Sequence, residues 1–329
     1  MNQITDQKSA ETIRLQIPEE HRGKRLDAVL TVLLPDHSRS AIQKWLAQGR
    51  VALSAGEAKK KFKVAGGETV EITPPEPDLL VDEAEPIPLH VVHEDEQLLV
   101  IDKPAGLVVH PGAGNMRGTL LNALLFHHEA LAELPRAGIV HRLDKLTSGL
   151  LVVAKTELAR QSLTDQLKTR SLKRQYIAVV NGSMVAGGTV DEPVGRHRND
   201  RKRMVVRGSG RPSVTHYRVR EHFRAHTALD VSLETGRTHQ IRVHMTHIDH
   251  PLVGDPVYGK RLRIPPGADD ELTDILRGFR RQALHAAKLG LEHPASGEYL
   301  EWKSPLPQDM RELNRALRED AEQHDPYRD

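Results

Sequence analysis

Apolar positions recur at helical spacing near the start of the chain and at strand spacing through most of the rest. Leu26, Val29, Leu30 and Leu33 fall at i, i+3, i+4 and i+7, one stripe of a helix that Pro35 ends. Ser38 suits the N-cap of a second helix, with Ile42, Trp45 and Leu46 inward and Gly49 at its C-terminal stop. Short runs at Val51–Leu53, Phe62–Val64 and Val70–Ile72 predict strands, the last after a Gly66-Gly67 turn. These pieces define a small α/β module over residues 14–73. Arg22, Lys24, Arg25, Arg39, Lys44, Arg50 and Lys59–Lys61 are left for its surface. Residues 1–13 lack such a pattern and are expected to be a disordered tail.

Pro74, Pro75, Pro77, Pro86 and Pro88 lie among acidic residues, so 74–88 reads as a stiff, acidic linker. Beyond it, 89–306 predicts a second domain. Strands are expected at Leu98–Ile101, Leu107–Val109, Leu150–Ala154, Gln175–Val180, Val214–Val219 and Leu229–Leu233. Helices are expected at Thr119–Leu134, from Thr156 to about Lys168, and at His239–His247, with Thr238 available as a cap. Strands outnumber helices and hairpin-like steps occur. The expected class is therefore α+β, with a mixed, mostly antiparallel sheet. Residues 307–329 read as a charged C-terminal tail.

Composition narrows the chemistry. The 329 residues include no cysteine, which excludes disulfides, thiolate nucleophiles and cysteine-ligated zinc. No apolar run approaches the ~20 residues that span a bilayer, and the first twenty are polar; no membrane partner and a cytoplasmic location are expected. The net charge of +2 is uneven. Residues 1–73 carry 12 basic and 9 acidic side chains, 74–100 carry none and 8, and 101–300 carry 30 and 20. Two basic blocks flanking an acidic strip suggest a polyanionic partner such as nucleic acid.

The most informative string lies over Arg136–Thr156, where a loop between two apolar runs holds His141, Arg142, Asp144, Lys145, Thr147 and Ser148. A loop between rigid strands is where active sites are presented. A carboxylate among cations suits a nucleophile or anchor more than a general acid. It also suits a turn cap paired with Lys145, and the string alone leaves both open. A second string, Leu233–Gly259, breaks at Gly236 and places Arg242 on a helix. Its His239, His244, His247 and His250 have no standard metal-ligand spacing, so no metal is expected. In a third, Leu172–Val180, Tyr176 alternates with apolar residues on a strand, a pattern that by itself reads as core.

HRLDK with its following T-S-G, then KRQYIAVV, ETGRTHQIRVH and RQALHAAKLG, resemble in that order the motifs of the RluA-type RNA pseudouridine synthases. The resemblance spans about residues 14–300. PDHSRSAIQKWL, GLVVHPGAGN and RAGIVHRLDK are similar to members acting on large-subunit ribosomal RNA. The module 14–73 resembles the RNA-binding domain named after ribosomal protein S four, although Ser54-Ala55-Gly56 stands where related modules usually turn on Asn-Gly. The resemblance implies a pseudouridine synthase fold, an isomerase needing no cofactor, and a base-flipping reaction. It implies Asp144 as nucleophile, Arg242 as its cationic partner and Tyr176 against the target base. Leu284 would be the pocket's apolar wall and Arg142 the side chain filling the vacated stack, with His141 and Lys145 also on the substrate. Arg25, Arg39, Lys44 and Arg50 would serve the RNA-binding module. The expected partner is large-subunit ribosomal RNA or a pre-ribosomal particle, bound by a monomer. Alternatives are the same chemistry on another structured RNA, a non-catalytic RNA-binding assembly factor, or a metal-dependent hydrolase built on the histidines.

Overall fold

The computed structural model describes residues 12–34, 39–59, 61–74, 83–112, 114–200, 202–259 and 262–325. The chain divides into two compact units at Asp82/Glu83. In the first, β1 (Ile13–Gln16), α1 (Leu26–Leu33), α2 (Arg39–Ala47), β2 (Val51–Leu53) and β3 (Thr69–Ile72) follow in chain order. The strands form an antiparallel sheet in the order β1-β3-β2. Leu26, Val29, Leu30, Ile42, Trp45 and Leu46 share its core with Val70 and Ile72. The periodicity thus read both helices correctly. Residues 62–64 contribute only an isolated bridge between Lys63 and Arg25 rather than a strand. The strand β1 takes in Ile13, which was expected to belong to a tail. Pro35 and Ser38 lie outside the described residues, as do residues 1–11 and 75–82.

The second unit is built on a nine-stranded sheet. Its elements are β4 (Val91–Glu94), β5 (Leu98–Lys103), α3 (Leu120–His127), β6 (Ser148–Ala154), α4 (Glu157–Thr169), β7 (Lys173–Asn181), β8 (Gly188–Asp191), β9 (Val194–Arg196), β10 (Met204–Val206), β11 (Val214–His222), β12 (His226–Leu233), α5 (Gln240–His247), α6 (Asp270–Gly278), β13 (Leu284–Glu292), β14 (Tyr299–Lys303) and α7 (Gln308–Gln323). The sheet order is β4-β5-β6-β13-β7-β12-β11-β8, with β14 also on β13 and β9-β10 as a separate ribbon. Every pairing is antiparallel except β6 with β13. The class is α+β, as expected.

Alternation along β7 separates two cores. Tyr176, Ala178 and Val180 face one, with Leu131, Leu143, Ile241 and Leu284; Ile177 and Val179 face the other, with Phe279, Met310, Leu313 and Leu317. That second core corrects the reading of 307–329 as a tail. Met310, Leu313 and Leu317 form an i, i+3, i+7 stripe of α7 and are fully buried. Residues 83–88, expected to belong to the linker, belong to this unit. The Glu83 carbonyl accepts from Asn122 Nδ2 (2.8 Å), and Glu85 exchanges bonds with Gly118 and Asn122. The helix expected to reach Leu134 ends at His127, where His128 turns extended and a 3-10 turn follows. Val108 makes only an isolated bridge where a strand at Leu107–Val109 was expected.

Candidate active site

Asp144 rides on the loop entering β6, and that loop is pinned along its length. Val152 N–H donates to His141 Nε2 (3.1 Å) at one end. At the other, the Lys145 carbonyl accepts from Lys103 Nζ (3.2 Å) and Gly106 N–H (2.8 Å). Gln282 Nε2 donates to Thr147 Oγ1 (3.0 Å), and Arg281, clamped by Asp309 of α7, reaches the Leu146 carbonyl. The Asp144 carbonyl closes a turn with Thr147 N–H (3.0 Å). Its carboxylate is therefore free to face elsewhere, and it faces Arg242 rather than Lys145.

Arg242 lies on α5, whose start is set by Gln240: its Oε1 accepts from Arg237 N–H and Thr235 Oγ1. The expected Thr238 cap is absent; His239 occupies the N-cap position without capping. Arg242 Nη1 donates to Asp144 Oδ2 (2.9 Å), while Nε and Nη2 grip both oxygens of Asp255 (2.7 and 2.9 Å). Asp255 also accepts from Val257 and Tyr258 N–H, and its side chain is 0% exposed. Burial opposes its charge, but Arg242 and those N–H donors more than offset it and hold the carboxyl low. Arg242 is held the other way, above its ordinary value, against burial, by the two carboxylates. Its side chain is 5% exposed, that of Asp144 15%. A planar, locked guanidinium thus presents one donor to one partly open carboxylate.

Tyr176 and Leu284 are buried in the core that also holds Leu143 and Ile241, the chain neighbours of Asp144 and Arg242. Burial raises the Tyr176 phenol; Arg174 opposes this and the Asp144 charge adds to it. Arg142 is exposed, as is Lys145, whose Nζ lies 3.5 Å from Asn115 Oδ1. His141 Nε2 accepts a backbone N–H, and burial and Arg174 lower its pKa to about 3, so the ring is neutral and anchors the loop. The other histidines are dispersed: His244 bonds Thr215 and the Glu192 carbonyl, His250 the Asn181 carbonyl, and His239 Tyr258.

Two residues of the site were not singled out from sequence. Asp255 sits in a Gly-Asp-Pro stretch that reads as a turn, and no pattern along the chain marks it as a partner of Arg242. Lys103 closes β5. It is buried, its Nζ donates to the Pro104, Leu107 and Lys145 carbonyls, and burial lowers it to about 7 against the pull of Asp144. In the small unit, Arg25 and Arg39 bind the buried Asp27 together with Gln43, whereas Lys44 and Arg50 are exposed.

An α+β sheet carrying a guanidinium-locked aspartate on a loop between strands defines a class, and comparison identifies it. Residues 97–247 match the sequence profile of RNA pseudouridylate synthase. The chain belongs to this family of isomerases. It is 54% identical over 305 residues (93% of this chain, 92% of the relative) to Ribosomal large subunit pseudouridine synthase D of Xanthomonas campestris pv. campestris. It is 54% identical over 309 residues (94% and 95%) to the protein of that name from Escherichia coli K12. Among solved structures it resembles Human RNA Pseudouridylate Synthase Domain Containing 4, with a TM-score of 0.54 and 27% identity over 70% of this chain and 93% of that one. It also resembles Human RNA Pseudouridylate Synthase Domain Containing 1, with a TM-score of 0.52 and 26% identity over 71% and 96%.

Proposed function

We propose that this protein converts uridines of large-subunit ribosomal RNA to pseudouridine, with Asp144 as nucleophile. The observation that carries this reading is the Asp144–Arg242–Asp255 chain. A binding surface has no use for a carboxylate held in place by a buried arginine, where it repels phosphate. A nucleophile needs such an anchor, because reaction demands a fixed approach. The large-subunit substrate is supported by relatives of that name at 54% identity over most of the chain.

In this reading the target uridine leaves its stack, at a cost of a few kcal/mol, and Arg142 fills the gap. The base lies on Tyr176 against Leu284, and Lys145 meets the backbone. Arg242 keeps Asp144 oriented while the bond from ribose to base breaks and the base rejoins through carbon 5. Lys44 and Arg50 of the small unit hold RNA away from the chemistry, joined by what Arg25 and Arg39 leave free beside Asp27. The protein works in the cytoplasm as a monomer, on ribosomal RNA or a pre-ribosomal particle, without cofactor.

Asp144→Asn tests the assignment. Pseudouridine formation on ribosomal RNA lacking other synthases should fall to background, with RNA affinity kept within several-fold. Turnover near the wild-type rate would overturn it. Mapping pseudouridine in large-subunit RNA with and without the protein tests the substrate.

A further inference from the structure

His239 stands at the lip of the site in left-handed backbone (φ 57°) and caps nothing, since Gln240 does that work. Histidine tolerates this conformation better than most residues with a Cβ. Here it brings the imidazole to Tyr258 on one side and Asp144 on the other.

Hydrogen bonding favours one placement of the ring proton. Met204 N–H donates to the Tyr258 hydroxyl (2.8 Å), and that oxygen lies 2.8 Å from His239 Nδ1. Among the described residues the hydroxyl has no other acceptor, so the arrangement that satisfies it is the one in which its proton is donated to Nδ1. A neutral ring accepting at Nδ1 carries its own proton on Nε2. Burial lowers the His239 pKa, the Asp144 charge opposing and Arg242 reinforcing, which keeps the ring neutral. Nε2 is 3.9 Å from Asp144 Oδ1, too far for a hydrogen bond, and the side chain is 18% exposed. An oriented N–H donor therefore points beside the nucleophile with no acceptor among the described residues.

Resting on the function proposed above, we infer that His239 Nε2–H donates a hydrogen bond to a carbonyl oxygen of the flipped uracil. If Asp144 displaces the base from the sugar, or the base leaves by way of a glycal, the electron pair of the C1′–N1 bond stays with the ring. If Asp144 adds to carbon 6, the C5–C6 π pair moves toward the carbonyl at carbon 4. In each case negative charge grows on a ring oxygen, and a preorganised donor stabilises it. The proton stays on Nε2 throughout, so no acid, base or co-reactant is consumed. Tyr258 is the positioning residue that selects the tautomer.

The test uses the full chain, a ribosomal RNA hairpin transcript, single-turnover rates, RNA affinity and 15N spectra of the ring nitrogens. His239→Leu should slow the bound-state rate ~100-fold, with affinity unchanged within about threefold. His239→Gln, which keeps an N–H, should recover about tenfold of that loss. The free protein should show the Nε2–H tautomer, and Tyr258→Phe should abolish that preference. A wild-type rate for His239→Leu, or an Nδ1–H tautomer in the native protein, overturns the inference. Should the leucine variant not fold, the glutamine variant and the spectrum decide: a rate for His239→Gln no faster than ~1% of wild type also overturns it. An active Asp144→Asn protein sinks the functional reading itself. An inactive one beside an unimpaired His239→Leu sinks only this inference.

Discussion

Three of the five guanidinium N–H donors of Arg242 are committed to Asp255 and Asp144, and its side chain is only 5% exposed, so it is poorly placed to clamp an incoming phosphate. Lysine keeps the charge but cannot hold two carboxylates in one plane. Arg242→Lys should lose about 10- to 100-fold in single-turnover rate while RNA affinity and its salt slope stay put. A phosphate clamp would instead flatten that slope by about one unit. His141 makes a different prediction. Its pKa of about 3 in the folded protein lies below the ordinary 6.5, so between these values the unfolded chain binds more protons. Its contribution to stability is thus whole above about 6.5 and lost as the pH falls toward 3. His110 and His226, each lowered to about 4 mainly by burial, act with the same sign. His141→Gln, whose amide oxygen can still accept from Val152 N–H, should make the acid slope shallower by up to one proton, read from urea unfolding between about pH 4 and 7. Asp144 and Arg242 were legible because loop polarity and motif order flag them. Asp255 and Lys103 were not, because burial among backbone donors and acceptors leaves no pattern along a chain.

The elements that periodicity read well are those that bury one whole face: α1, α4, β6 and β7. Those it missed include the edge strands β4 and β8, whose short, half-exposed runs carry no clean alternation, α7, whose apolar stripe is diluted by charge, and also α6, β14 and the central strand β13. Pairing partners were not legible at all, and the parallel contact of β6 with β13 is where that matters most. Only Ser148–His285 and Gly149–Ala286 pair there, reinforced by a 3.0 Å bond between Ser148 Oγ and His285 Nδ1. Gly149 has φ +112°, and a Cβ on it would fall 2.3 Å from the Ala286 carbonyl oxygen. Gly149→Ala should therefore cost ~3 kcal/mol or more of stability, since both backbone strain and overpacking oppose it. A melting temperature within ~2 °C of wild type would show that the contact yields more readily than this.

Across the whole molecule, the cut between units falls at Asp82/Glu83 rather than at the end of the proline stretch. Residues 83–329 should fold alone and isomerise a short hairpin at a bound-state rate within several-fold of the full chain. Their affinity for long ribosomal RNA should drop at least ~10-fold, because a tethered second contact is lost. A truncation at residue 88 should be less stable than one at 82, since it removes the Glu83 and Glu85 contacts to Asn122; comparing their melting curves checks this. The sheet order has a further consequence, for the timing of synthesis. Strand β13 lies between β6 and β7 in space but follows them by about a hundred residues in the chain. A ribosome making this protein delivers that strand near the end. Until then the strand that follows Asp144 and the strand bearing Tyr176 lack their common neighbour, and the long-range pairing that sets their register cannot form. A nascent chain interrupted before residue 284 would hold the complete small unit and both those residues, yet not modify RNA. Competence arrives only once β13 has left the tunnel.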